Sequence, residues 1–345
     1  MKNDVHVFPR WRLTVIGLMM LGGLLLLAGR LHRVQIRNSL YYSGAQHRQS
    51  IRRVLLPAPR GRIFDRNGIC LADNLPRYCL AVYIEELRRP GRWENTIDAV
   101  DREVDRLALR LGLAREIDRD DIATHVRRRL PLPLLVWQGI DARVMARFAE
   151  SPEPWPGFDI YVQPERHYPK GSLAVHLLGY VGRDRPVFTN EFFHYDVMGM
   201  RGRAGMEAAA DDRLSGTPGG QLIRVDATGY KHAAWPGREA VPGEDLHLTI
   251  DADLQALVER LLSGQRAACV ILDPSNGDVL AMASAPSFDP NLMSPAISSA
   301  RWRALNRDPG RPLLNRAIAG VYPPGSIFKP LVALAALGQG MDPSF

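Results

Sequence analysis

An α+β chain behind one membrane anchor is the fold class that this sequence predicts, and three observations carry that reading. An uncharged apolar run lies near the N-terminus, two strand–turn–strand signals stand far apart along the chain, and stretches of helical period lie between and around them. The 345 residues, 46% hydrophobic and 23% charged, have the composition of an ordinary globular protein with room for roughly two or three domains.

The apolar run is "LTVIGLMMLGGLLLLAG", Leu13 to Gly29, with Arg10 and Arg12 before it and Arg30 and Arg33 after it. As a helix it spans about 26 Å, near the lower limit for crossing a bilayer. A cleaved signal peptide ends its apolar core in small residues at a processing site. Here Arg30, Leu31, His32 and Arg33 follow, so the run reads as an uncleaved anchor. Basic residues at both ends leave the charge rule for orientation undecided. The short tail, 1–12, favours a cytoplasmic N-terminus with the bulk of the chain outside. From Arg30 to about Ile51 a polar, partly helical stalk is expected.

Next comes "RGRIFDRNGICLADN", Arg60 to Asn74, where Asn67–Gly68 between apolar runs is a hairpin signal with its turn at Asp65–Gly68. Residues 94–113 place Val100, Val104, Leu107 and Leu111 at helical spacing. Asp141 is the expected N-cap of a helix through Phe148, and "SPEPWPG" (Ser151 to Gly157) breaks the chain. Strand-like and turn-like pieces alternate from Ile160 to Val241. Gly199, Gly202 and Gly205 there lack the GxGxxG spacing of a dinucleotide site. "EDLHLTIDADLQALVERLLSG" reads as a short strand running into an amphipathic helix that Gly264 ends. "AACVILDPSNGDVLAMAS", Ala267 to Ser284, predicts a second hairpin around Asp273–Asp278.

Composition narrows the function classes. The net charge of +7 rests on arginine, since the lysines are Lys2, Lys170, Lys231 and Lys329 alone. That balance suits an anionic surface or polymer. No basic run interleaved with aromatics points to nucleic acid. Cys70, Cys79 and Cys269 form no CxxC and no Cys/His pair, and the nine histidines include no HExxH, so neither metal nor cofactor is expected. A Cys70–Cys79 disulfide is open to the chain in an oxidising compartment; three separate thiols is the plainer expectation.

The chemistry concentrates in "VYPPGSIFKP", Val321 to Pro330. Gly320 and Gly325 have the GxxxxG spacing of a phosphate loop, but Ser326 and Ile327 stand where Lys and Ser/Thr are needed, and two prolines replace donor amides. Ser326 as a simple helix cap is the second reading. A capping box wants Glu or Gln three residues on, and Lys329 stands there instead, a cation opposing the helix dipole by roughly 0.3–1 kcal/mol. The third reading is S-x-x-K: serine nucleophile and lysine base one turn apart, with burial and the positive helix end favouring the neutral amine. First-turn amides would face a developing oxyanion.

"LLNRAIAGVYPPGSIFKP" resembles the active-serine region of penicillin-binding transpeptidases, whose motif is S-x-x-K. "RGRIFDRNGICLADN", "RHYPKGSLAVHLLGYVG", "GRAGMEAAADDRLSGTPGG", "DLHLTIDADLQ" and "ILDPSNGDVLAMASAPSFDPNL" are similar to landmarks of the class B enzymes, in the same order. Within that class the run at Ile297–Ser299 and "LNRDPGRPLLNRAIAGVYPPGS" look most like the elongation-specific, penicillin-binding protein 2 branch, and less like the division-specific one. Ile327 departs from the Thr that the family often has there.

The resemblance implies a cytoplasmic tail over 1–12, an anchor over 13–29, an elongated pedestal over 50–240 and the N-terminal part of a serine β-lactamase/transpeptidase-like domain over 244–345. It implies a periplasmic D,D-transpeptidase acting on the pentapeptide stems of peptidoglycan, with Ser326 acylated, Lys329 taking its proton, and β-lactams trapping the serine. Implied partners are a SEDS-family glycan polymerase of the RodA type and other elongation-complex proteins at the inner membrane. The family's S-x-N and K-T/S-G motifs follow the serine and are not found after Lys329; "SNG" at Ser275 and "KGS" at Lys170 do not replace them. These residues by themselves are therefore expected to be catalytically incompetent. A non-enzymatic scaffold that engages the polymerase is the alternative from another class. A penicillin sensor or serine β-lactamase shares S-x-x-K but not the pedestal landmarks.

Overall fold

The structure is a computed structural model that describes residues 10–37, 51–128, 132–151, 155–184, 195–225, 231–294 and 296–340. Most of the predicted stalk and the middle of "SPEPWPG" lie outside the described residues. The anchor forms helix α1 (Arg10–His32), which continues as one π-helical stretch, Arg33–Arg37. It runs three residues beyond the apolar segment at each end. Thr14–Arg37 is long and apolar enough to cross a membrane, with none of it buried against the rest of the protein.

The N-terminal region is organised on one long strand. In order come β1 (Ile51–Leu56), β2 (Ile63–Phe64) and β3 (Cys70–Val82), then helices α2 (Trp93–Leu111) and α3 (Arg119–Arg128). Strand β4 (Leu134–Gln138), helix α4 (Ala142–Ala149) and strand β5 (Phe158–His167) follow. β3 pairs antiparallel with β5 along one edge, from Asp73↔His167 to Val82↔Phe158. Its other edge carries β2 at one end and β4 at the other. The β2–β3 hairpin closes as predicted, with Gly68 at φ 82° and its N–H donating to the Asp65 carbonyl. Asp141 caps α4 by accepting from the Val144 amide at 2.8 Å.

On this spine the predicted helical stripe is core. Val100, Val104, Leu107 and Leu111 of α2 pack with Ile122 of α3, Leu80 and Val82 of β3 and Trp137 of β4. Cys70 and Cys79 lie nine positions apart on β3, roughly 30 Å along an extended strand. A disulfide cannot span that distance, and the three cysteines are free.

The chain then runs through α5 (Val175–Leu178), β6 (Val181–Asp184), β7 (Tyr195–Asp196) and β8 (Gly199–Gly202) to the short helices α6 (Gly205–Ala209) and α7 (Asp211–Leu214). β9 (Gly219–Val225) and β10 (Lys231–Pro236) complete a second sheet, ordered β10-β9-β1-β7. The C-terminal region enters through β11 (Leu246–His247), which lies parallel to β2 with Leu246 opposite Ile63. After it come α8 (Ala252–Leu261), the predicted second hairpin of β12 (Ala267–Leu272) and β13 (Val279–Ala285), and α9 (Ser299–Arg307).

Where these pieces meet, the landmark motifs converge on Glu207. Arg60 donates from Nε to Glu207 Oε2 at 2.6 Å and from Nη2 to the Glu207 carbonyl at 2.8 Å. Arg166 donates from Nε to Glu207 Oε1 and from Nη1 to the Gly61 carbonyl, both at 2.7 Å. The Tyr168 hydroxyl reaches Oε1 at 3.3 Å, and burial beside this carboxylate drives the phenol far above its ordinary pKa. Asp211 sits 2.7 Å from Arg60 Nη1 as an ion pair off the hydrogen-bond axis. Two arginines thus face two carboxylates, and the side chains of Glu207, Arg60 and Arg166 are almost wholly removed from solvent. The same approach needs a glycine at 61, where a Cβ would fall 1.9 Å from the Glu244 carbonyl.

Removing one partner of a buried ion pair typically costs about 3–5 kcal/mol, because the other charge stays buried without compensation. Glu207→Ala is therefore expected to lower the free energy of urea unfolding by about that amount, and Glu207→Gln by less. Equilibrium unfolding in detergent micelles, followed by tryptophan fluorescence, measures both. A loss under about 1 kcal/mol for the alanine variant would contradict this role for Glu207.

Candidate active site

The segment that carries Ser326 is built up from the β12–β13 hairpin. Gln255 on α8 exchanges two hydrogen bonds with the Met282 backbone of β13, at 2.8 and 2.9 Å, fixing the helix to the hairpin. From the far end of β13, the Ser284 hydroxyl donates to the Leu314 carbonyl at 3.1 Å and accepts the Arg316 amide at 3.0 Å. Asn315 caps helix α10 (Arg316–Ala319) by accepting from the Ala317 amide. The buried Arg316 side chain folds back to donate to the Gly310 and Arg311 carbonyls.

After α10 the chain passes Val321–Pro324 without regular structure. It enters a 3₁₀ turn at Gly325–Phe328 that leads directly into helix α11 (Lys329–Gly338). Gly325 takes a left-handed φ of 56°, a conformation that only glycine reaches without strain. Pro324, not Ser326, occupies the cap position, and no side chain caps the turn. The simple helix-cap reading of Ser326 is thereby overturned: its hydroxyl does no capping. Lys329 donates its amide to the Ser326 carbonyl, one 3₁₀ turn on, and side chains at i and i+3 of such a turn eclipse.

Ser326 and Lys329 are both exposed, and among the described residues neither side chain has a hydrogen-bond or ion-pair partner. The burial expected to favour a neutral lysine is not supplied by these residues. Leu331, Val332 and Leu334 on α11 are also more than half exposed. The lookalike motifs lie elsewhere: Ser275 bonds Asp273 inside the second hairpin turn, and Lys170 sits in the turn after β5. An open groove in the N-terminal region, lined by Leu56, Arg77, Tyr161, Arg183 and Met200, includes neither Ser326 nor Lys329. No group of three or more potential metal ligands occurs among the described residues.

Sequence reasoning missed the residues that join the two regions. The segment from Tyr168 to Tyr180 belongs to the N-terminal region in chain order, yet the C-terminal region grips it at Tyr168, Ala174 and His176. Asn291 accepts from the Tyr168 amide and donates to its carbonyl, at 2.9 and 3.0 Å. Glu259 accepts the Ala174 amide at 2.8 Å, and burial raises the pKa of its carboxyl. His176 Nε2 lies 2.7 Å from the Pro312 carbonyl, while Asn315 donates to the His176 carbonyl at 3.0 Å. Val175, Phe288 and Met293 close an apolar cluster around these bonds. Each is an ordinary residue in sequence; only the fold gives it a partner.

Residues 55–248 match the family model of the penicillin-binding protein dimerisation domain, and residues 267–345 match that of the penicillin-binding protein transpeptidase domain. A curated relative from Acinetobacter baumannii, named peptidoglycan D,D-transpeptidase MrdA, is 33% identical over 92% of this chain and 46% of its own length. Its namesake from Escherichia coli strain K12 is 34% identical over 94% of this chain and 51% of its own length. The peptidoglycan D,D-transpeptidase FtsI of the same strain is 27% identical over 99% of this chain and 53% of its own length. The chain thus spans about half the length of the curated relatives it matches. A solved complex of penicillin-binding protein PBP2 with MreC from Helicobacter pylori shares the fold, with a TM-score of 0.61 at 24% identity, over 84% of this chain and 52% of that one.

Because an L-residue in the left-handed region is disfavoured by roughly 1–2 kcal/mol, Gly325→Ala is expected to loosen the 3₁₀ turn without unfolding the protein. Amide hydrogen exchange at Lys329 should then accelerate by roughly tenfold while the thermal midpoint holds. Unchanged exchange at that amide would show that the turn does not depend on the glycine.

Proposed function

The chain belongs to the penicillin-binding protein family, and from that premise we propose that it serves as a peptidoglycan D,D-transpeptidase of the elongation type. The observation that carries the reading is the Ser326–Lys329 turn: a serine hydroxyl free of any capping bond, with a lysine one turn on whose amide donates to the serine carbonyl. Ser326 Oγ attacks the penultimate D-alanine carbonyl of a stem peptide and passes its proton to Lys329 Nζ. The amides of Gly325 and Ser326 precede the first hydrogen bond of the 3₁₀ turn and suit a developing oxyanion. The terminal D-alanine leaves with a proton, and the side-chain amine of a neighbouring stem then takes the acyl group from Ser326. A β-lactam follows the first half of this course: its amide bond opens, and the ring-opened acyl group stays on the serine.

The elongation assignment is supported by higher identity to the MrdA relatives than to FtsI. It brings with it, as proposals, a RodA-type glycan polymerase as partner and an MreC-type protein, of the kind named in the Helicobacter pylori complex, at the 50–240 pedestal. α1 would place the chain once across the inner membrane, with the pedestal and the transpeptidase part from 244 onward in the periplasm. The S-x-N and K-T/S-G groups that complete such a site are not supplied by these residues. Activity therefore needs groups beyond those that residues 1–345 supply.

Membranes from cells expressing the whole reading frame, labelled with a fluorescent penicillin, test the assignment. A covalent adduct on Ser326 is expected, absent in Ser326→Ala and strongly reduced in Lys329→Ala. Residues 1–345 expressed alone are expected to remain unlabelled. No adduct from the whole frame would refute the acyl-enzyme reading, and an adduct on residues 1–345 alone would refute the need for further motifs.

A further inference from the structure

The turn that feeds the Ser326 segment is held from outside its own domain. Pro312 to Asn315 is met by one residue of the N-terminal region, His176, through both its side chain and its backbone. The acceptor on the side-chain contact is a carbonyl, so the ring must donate from Nε2–H. Burial and the neighbouring Arg316 lower the imidazole pKa, which favours that neutral form. The ring is packed edge-on against Phe288, centroids 5.8 Å apart, and Phe288 is flanked in turn by Tyr180 at 6.2 Å. His176 is thus fixed in orientation, with its donor aimed at one atom.

From that anchored turn the chain leads through α10 to the serine turn. Asn315 caps α10, Ser284 ties the start of α10 to β13, and Pro323–Pro324 stiffens the approach to Gly325. A shift of the Pro312–Asn315 turn is passed directly to α10, from which Val321–Pro324 leads to the serine turn. We propose that His176 is a positioning residue for the acylation pair: its Nε2–H and its carbonyl clamp the Pro312–Asn315 turn and so set where the Ser326 segment departs. It touches no reacting atom. The proposal rests on the acyl-enzyme reading of Ser326, and it adds that a residue of the dimerisation-domain region sets the rate of a reaction carried out in the other.

The whole reading frame in membranes, with acylation by a fluorescent penicillin timed and normalised to folded protein, supplies the test. His176→Ala removes the side-chain donor, and His176→Gln keeps an N–H donor at similar reach. Asn315→Asp keeps the cap on Ala317 but loses the donor to the His176 carbonyl, so it reports on the clamp even where a His176 variant fails to fold. His176→Ala and Asn315→Asp are expected to acylate about tenfold to a hundredfold more slowly, the scale on which displacement of a reacting group acts, and His176→Gln to recover most of the rate. Wild-type rates in both impaired variants would overturn the proposal, as would a glutamine variant as slow as the alanine one. An unlabelled wild-type protein would instead remove the acyl-enzyme reading itself, and this proposal with it.

Discussion

The structure turns on a single buried carboxylate. Glu207 accepts from Arg60 and Arg166 at distances of 2.6 and 2.7 Å, at full burial, and these arginines come from chain segments more than a hundred residues apart. A carboxylate there is tolerable only because both of its oxygens are met by charged donors and the second positive charge is matched by Asp211. Such a geometry has little freedom. It fixes the entry to β2, the end of β5 and the helices α6 and α7 at one point.

That point is also where the C-terminal region is joined. Gly61, beside Arg60, lies against the Glu244 carbonyl, so the strand entering the C-terminal region runs along β2. Asp65, wholly buried in the first hairpin, accepts the Ala252 amide that opens α8. Tyr168, on the other side of Glu207, begins the segment gripped by Asn291, Glu259 and Asn315. The two regions therefore share a polar core and an apolar one, the latter combining Ile63, Leu71 and Leu178 with Ile250 and Ala252. The serine turn lies at the end of this chain of contacts.

What the sequence made legible follows from how local each signal is. The two hairpins, the α2 stripe, the Asp141 cap and the α8 helix were readable because period, turn chemistry and capping act within a few residues. The S-x-x-K spacing of Ser326 and Lys329 was readable for the same reason, since it lies within four residues. Glu207 was not: it falls in the stretch Ile160–Val241, which reads as alternating strand-like and turn-like pieces, and its partners stand 41 and 147 residues away. His176 and Asn315 escaped likewise, since their meeting is 139 residues long in sequence. Composition left the Cys70–Cys79 bond open, and strand geometry closed it. The cap reading of Ser326 failed because Gly325 begins the turn one residue early, putting Pro324 at the boundary.

Native-state hydrogen exchange under increasing denaturant reaches the central claim most directly, that the two regions form one cooperative unit around Glu207. The amides of Arg66, Tyr168, Ala174 and Ala252 bond across the joint, to Ile250, Asn291, Glu259 and Asp65 in turn, and that of Gly61 bonds Leu214 within the N-terminal region. They are predicted to converge on one shared opening free energy as denaturant rises. Exchange of Ala252 and Ala174 through a separate, smaller opening, while Gly61 stays protected, would contradict it.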